Sequence, residues 1–182
     1  MAHYNIHTEQ LRSFLPRLKA GDTVNLTGTV YTARDAAHKK IVAALDEGAG
    51  VPFPLRDAVI YYAGPTPAKP GQVIGSCGPT TASRMDVFAP RLIREGLVCM
   101  IGKGARAPGV VDAMKKYGCV YLAAIGGAGA IISDAVKELS VVAYEELGCE
   151  SVKKLTVRDF PAIVAIDGTG GSLYGDTTYR NI

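Results

Sequence analysis

The sequence predicts an α/β fold, a sheet covered on both faces by helices, and three observations carry that expectation. Runs such as LVCMIG (97–102) and CVYLAAIGG (119–127) are apolar at consecutive positions, which suits strands buried on two sides. Between the strands lie short segments of helical spacing with proline at the start and glycine at the end, as in APGVVDAMKKYG (107–118). The 182 residues suffice for one domain with a sizeable core and are too few to expect two. Residues 1–182 are therefore read as one unit, an N-terminal arm (1–21) followed by a folded body (22–182).

DTVNLTGTVY (22–31) opens the body as a strand rich in threonine and valine. It runs into TARDAAHKKIVAALDEG, where Thr32 is placed to cap a helix and Asp35, three residues on, imitates a capping box. Ala37, Ile41, Ala44 and Leu45 form its apolar face and Gly48 its stop. After a loop, AVIYYAG (58–64) reads as a strand, PTPAKPG as a turn and QVI (72–74) as a further strand-like run. Pro90 forbids one continuous helix beyond residue 80, so two are expected, at about 81–88 and from Pro90 onward. AGAIISDAVKEL (128–139) reads as helix and PAIVAIDGTG (161–170) as a late strand.

Composition narrows the function. The chain is 48% hydrophobic and 20% charged, with a net charge of +3 spread among acids. That lacks the concentrated basic face of a nucleic-acid binder. No apolar run approaches the roughly 20 residues of a membrane span, and the N-terminus lacks a signal-peptide layout. A cytoplasmic protein is expected. The four cysteines, Cys77, Cys99, Cys119 and Cys149, form no C-x-x-C pair and read as buried or inert thiols, Cys77 least clearly so. His3 and His7 have i,i+4 spacing, but in an arm expected to fray they make a poor metal pair.

Three strand-to-helix junctions collect the polar chemistry: TARDAAH, GPTTASRM and GKGARAPG. In α/β folds ligands gather beyond the carboxyl ends of strands, where helix N-termini offer free N–H groups. Arg34, Arg84 and Lys103 would meet there with the hydroxyls of Thr80 and Thr81, a set suited to a small dicarboxylate. Each member has a plainer role: the threonines as helix caps, the arginines as solvated charges, Asp35 and His38 as a capping acid and a half-buried imidazole rather than a metal pair. GKG lacks the rest of a phosphate-binding Walker loop, and GGAGA (126–130) lacks the full dinucleotide fingerprint.

Taken together, TARDAAH, GPTTASRM, GKG and AIGGAGA, in this order, resemble the beta subunit of two-subunit iron–sulfur hydro-lyases: class I fumarate hydratase and L(+)-tartrate dehydratase. The resemblance runs from about residue 22 to GGSLYGD (170–176). It implies a swivelling β/β/α domain, a mixed sheet flanked by helices. It also implies a separate alpha subunit whose cysteines hold a [4Fe–4S] cluster with one open iron, a Lewis acid toward the substrate hydroxyl, with no cofactor on this chain. By the same resemblance Thr80 is the base, Thr81 a substrate contact and Arg84 a carboxylate clamp, with Arg34 and Lys103 completing the grip. Thr32, Asp35, His38, Gly78, Gly126 and Gly127 stand as supporting residues. The implied reaction is reversible dehydration of (S)-malate to fumarate by an assembly of alpha–beta pairs. L(+)-tartrate is the alternative substrate, and a non-catalytic carboxylate-binding module the third reading.

Overall fold

The computed structural model describes residues 1–124 and 129–175. In chain order the strands are β1 (His3–His7), β2 (Thr23–Thr32), β3 (Val59–Tyr61), β4 (Cys99–Gly102), β5 (Val120–Ala123), β6 (Val136–Ala143) and β7 (Val152–Ile166). The α-helices are α1 (Leu11–Phe14), α2 (Asp35–Asp46), α3 (Ala89–Arg94), α4 (Pro108–Tyr117) and α5 (Gly129–Ala135), with 3-10 turns at Thr8–Gln10, Ala82–Met85 and Glu145–Glu150. Strands β2 to β5 pair in parallel, and β7 is antiparallel to both β5 and β2. The α/β expectation holds, but the sheet closes into a five-stranded barrel, with β1 beside β2 and β6 beside β7.

Alternation along the strands explains the continuous apolar runs. Val59 and Tyr61, Cys99 and Ile101, and Val120 and Leu122 share one buried cluster with Val30, Leu155, Phe160 and Val164, the barrel interior. Their neighbours Ile60, Met100 and Tyr121 face outward into a second cluster with Ile41 of α2, Leu92 of α3 and Met114 of α4. Both faces are thus apolar, as the sequence runs require.

Closure depends on a bend in β7. Between the pairs Leu26/Phe160 and Gly28/Val157 the register shifts, with Arg158 and Asp159 facing Thr27 alone. Asp159 lies in the left-handed region (φ 53°) and donates its N–H to Thr27 Oγ1 at 3.1 Å. Such a bulge bends and twists the strand locally.

Several expectations need correction. The N-terminal arm is not frayed: β1 adds a parallel strand to β2, and Leu11 and Leu18 join the core. QVI forms no strand, and the helix expected at 81–88 is only the Ala82–Met85 turn. The helix expected over 128–139 ends at Ala135, where the chain becomes β6 against the free edge of β7. Pairing across that edge outweighs the local helical pattern. The late strand begins at Val152 rather than 161, because Pro161 sits within β7 instead of opening it. The expected stops of α2 and α4 are present: Gly48 and Gly118 take positive φ, 67° and 74°.

Gly28 offers a test of the bend. Its φ is 124°, and a Cβ there would lie 2.4 Å from Thr8 Oγ1, which accepts the Thr29 N–H. Gly28→Ala should cost about 1–3 kcal/mol of stability. Urea unfolding should show a lowered midpoint with an unchanged slope.

Candidate functional site

The parallel order of β2, β3 and β4 brings their carboxyl ends to one rim. The segment after Cys77 is threaded into that rim by its backbone: Thr80 N–H donates to Tyr62 O at 2.6 Å, Lys103 N–H to Thr80 O at 3.3 Å, and Ala82 N–H to Lys103 O at 2.8 Å. Tyr61, inside the barrel, donates its hydroxyl to Cys77 O at 2.6 Å and anchors the same segment from below. Gly102 allows the crossing. A Cβ there would stand 3.0 Å from Tyr62 Cδ2 and 3.1 Å from Ala82 Cβ. Thr81 pairs in a parallel bridge with Lys103, so two of the three polar junctions are stitched together directly.

The third junction joins through charge. Arg84 Nε donates to Asp35 Oδ1 at 2.9 Å, with Nη2 also 2.9 Å from Oδ2. Arg34 Nε lies 4.0 Å from Asp35 Oδ2, and its Nη2 is 3.1 Å from the Glu150 carboxylate. One carboxylate therefore stands between two guanidiniums. Arg34 Nε is buried with no hydrogen-bond partner among the described residues. Among those residues the hydroxyls of Thr80 and Thr81 and the Lys103 ammonium make no hydrogen bond, and Thr80 is half-buried while Thr81 and Lys103 are exposed. The structure thus brings Arg34, Thr80, Thr81, Arg84 and Lys103 to one rim. The threonines are not helix caps: Thr81 precedes the Ala82–Met85 turn without capping it through its side chain.

The supporting residues are more mixed. Thr32 does not cap α2; the helix begins after Arg34, and the buried Thr32 hydroxyl accepts from Lys153 N–H at 3.2 Å and donates to Ser151 O at 3.5 Å. Asp35 is a counter-ion rather than a capping acid. His38 is fully buried and does not turn to Asp35: its Nδ1 meets Arg34 O at 2.9 Å. A carbonyl only accepts, so Nδ1 carries the proton. A Cβ on Gly78 would meet open space, so packing does not demand glycine there. Gly126 and Gly127 lie outside the described residues.

Cys77, Cys99 and Cys119 are buried, and burial pushes the Cys77 and Cys119 thiols up to about 12. Among the described residues no group of three or more His, Cys, Asp and Glu side chains could hold a metal ion. No helix there is long and apolar enough to cross a membrane.

Beside the rim opens a cleft of about 960 Å³ lined by Ser83, Asp86, Arg106, Val111, Ile166 and Tyr174 among others, but by none of the rim's cations or threonines. Sequence reasoning missed its buried Arg106, which donates to Asp86 at 2.6 Å and lies over the Tyr62 and Tyr121 rings. Asp86 also accepts the Ala107 N–H at 2.7 Å, so this pair ties the turn after Arg84 to the start of α4. Arg106 lies three residues past Lys103 in GKGARAPG, and nothing in that motif distinguishes it from a surface charge.

Residues 1–177 match the family model described as Fumarase C-terminus. The chain belongs to that family. It is 40% identical over 171 residues to "Fumarate hydratase 2" of Leishmania major, covering 93% of this chain and 30% of that protein. To "Fumarate hydratase class I, aerobic" of Escherichia coli (strain K12) it is 39% identical over 168 residues, 91% of this chain and 31% of the relative. A Methanocaldococcus jannaschii protein named "Putative L(+)-tartrate dehydratase subunit beta" is 41% identical over 170 residues, 90% of this chain and 87% of its own length. The chain thus spans about a third of the two fumarate hydratases and nearly all of the subunit.

His38 makes the rim sensitive to acid. Burial holds its pKa down at about 4, against 6.5 in the unfolded chain. As pH falls from about 6.5 toward 4 the unfolded state takes a proton that the native state refuses, so stability falls by up to about 3 kcal/mol. His38→Asn keeps an amide donor toward Arg34 O without the titration. The wild-type stability should fall relative to that variant across this window, measured by urea unfolding at a series of pH values; parallel profiles would contradict it.

Proposed function

We propose that this chain is the substrate-gripping half of a hydro-lyase that interconverts (S)-malate and fumarate. The observation that carries the reading is the convergence of Arg34, Arg84 and Lys103 with the Thr80 and Thr81 hydroxyls on one open rim. Arginine grips carboxylates through paired charge-assisted hydrogen bonds, and two such groups with an ammonium suit a dianion. The nearly full-length match to a protein named as a beta subunit supports a partner chain, an alpha subunit that carries the [4Fe–4S] cluster, in assemblies of alpha–beta pairs. The same match favours L(+)-tartrate as the second reading, since tartrate differs from malate by one hydroxyl. We read residues 1–182 as a single cytoplasmic unit of the swivelling β/β/α type, whose rim closes against the partner.

This chain's part in the chemistry is to bind, orient and take a proton. Arg84 and Arg34 grip the carboxylates, Lys103 and Thr81 fix the orientation, and Thr80 Oγ1 accepts the C3 proton. A neutral hydroxyl is a poor base toward carbon, so Thr80 must act as its alkoxide, favoured by the adjacent cations once water is excluded. The C3–H electron pair becomes the C2=C3 bond as the C2 hydroxyl leaves, and the proton on Thr80 returns with that hydroxide to solvent as water. Departure of the hydroxyl is assigned to the partner, because among the described residues no cluster of His, Cys, Asp and Glu side chains could hold a metal ion.

The purified chain should be inactive alone and active when assembled anaerobically with a cluster-loaded alpha subunit. In that assembly Thr80→Ala should remove most turnover and the exchange of the malate C3 proton, with melting temperature and KM nearly unchanged. Thr81→Ala should raise KM more than it lowers kcat. Near-normal turnover in Thr80→Ala would move the base elsewhere.

A further inference from the structure

Lys153, the second residue of β7, is 7% exposed, yet among the described residues no carboxylate meets its ammonium. Its Nζ lies 3.0 Å from Gly148 O, 3.1 Å from Cys149 O, 3.3 Å from Ser151 O and 2.7 Å from Ser151 Oγ. All four acceptors belong to one turn, 148–151. A buried charge is costly without compensation, and an ammonium has only three protons for these four oxygens. Burial accordingly lowers the Lys153 pKa. An arrangement this costly calls for a reason beyond packing, and what the turn carries supplies one.

The turn holds Arg34 through Glu150. Glu150 puts its carboxylate 3.1 Å from Arg34 Nη2. A Cβ placed on Gly64 would stand 2.9 Å from Arg34 Nη1 and 3.3 Å from Cys149 O, so that carbonyl and the guanidinium crowd the same glycine. Cys149 O is also one of the four oxygens held by Lys153. Gly148 sits at φ 58°, ψ −117°, a conformation suited to glycine, and Ser151 Oγ donates back to Gly148 O at 2.7 Å. Thr32 then joins the turn to β2, two residues before Arg34. Meanwhile Arg34 Nε stays buried and unpartnered among the described residues, a donor left for another acceptor.

We infer that Lys153 is a positioning residue for Arg34: it fixes the 148–151 turn so that Glu150 holds the guanidinium extended toward the bound dicarboxylate. This rests on the proposed function for its kinetic consequence. It assigns Lys153 and Glu150 no contact with substrate, and it predicts that their effect passes through Arg34 alone.

The test uses the assembled alpha–beta enzyme and (S)-malate. Lys153→Met, which keeps most of the stem and removes the charge, should raise KM about tenfold, the loss of roughly one charge-assisted hydrogen bond, while kcat changes less than about twofold. Glu150→Ala, at a half-buried position of the turn, should do the same and stands in should Lys153→Met fail to assemble. In an Arg34→Ala background either change should add nothing further to KM, which a general loss of stability would not reproduce. Backbone amide exchange at 148–151 should quicken in Lys153→Met. Unchanged exchange, or a raised KM in Arg34→Ala alongside a normal KM in Lys153→Met and Glu150→Ala, would overturn the inference. A normal KM in Arg34→Ala would instead sink the dicarboxylate reading, and the positioning role with it, and is read without any Lys153 variant.

Discussion

Strand β7 runs for fifteen residues with β2 along one edge and β6 and then β5 along the other. That double pairing turns a sheet into a ring, and the polar rim depends on it. An open sheet would leave the carboxyl ends of β2, β3 and β4 along a line; closure curves them toward one another. It also sets Ser151 and Lys153 against the end of β2, where the buried Thr32 hydroxyl receives them. The bulge opposite Thr27 bends β7 between its two runs of pairing with β2.

Electrostatics then sets how the rim holds its cations. Arg34, Arg84 and Lys103 would repel one another if brought together bare. Asp35 sits between the two guanidiniums, and Glu150 holds the first from the far side. These carboxylates keep the arginines extended without consuming every donor, since Arg34 Nε remains free among the described residues. Lys103, between two glycines on an exposed bend, has no such partner there. The site is therefore part preformed and part open.

The sequence made the convergence legible because each junction obeys the same local rule, a strand ending where polar residues precede a helix. Glycine and proline marked α2 and α4 for the same reason: their signals are local. What escaped was set by distant contacts. Thr32 matched a capping pattern, but its hydroxyl is taken by residues more than a hundred positions away. Glu150 and Lys153 belong to no motif; the available hint was a lysine beside Val152 in a stretch of strand-like alternation. The barrel itself was hidden, since Pro161 disguised the middle of β7 as its beginning.

The central claim, that this rim receives the dicarboxylate, is tested most directly by a crystal structure of the assembled alpha–beta enzyme with a bound dicarboxylate. The account predicts carboxylate oxygens within about 3 Å of the Arg34 and Arg84 guanidiniums and the Lys103 ammonium, with Thr80 Oγ1 facing the carbon that loses its proton. A dicarboxylate held wholly by the partner chain, or lodged in the cleft beside Arg106 and Tyr174, would contradict it.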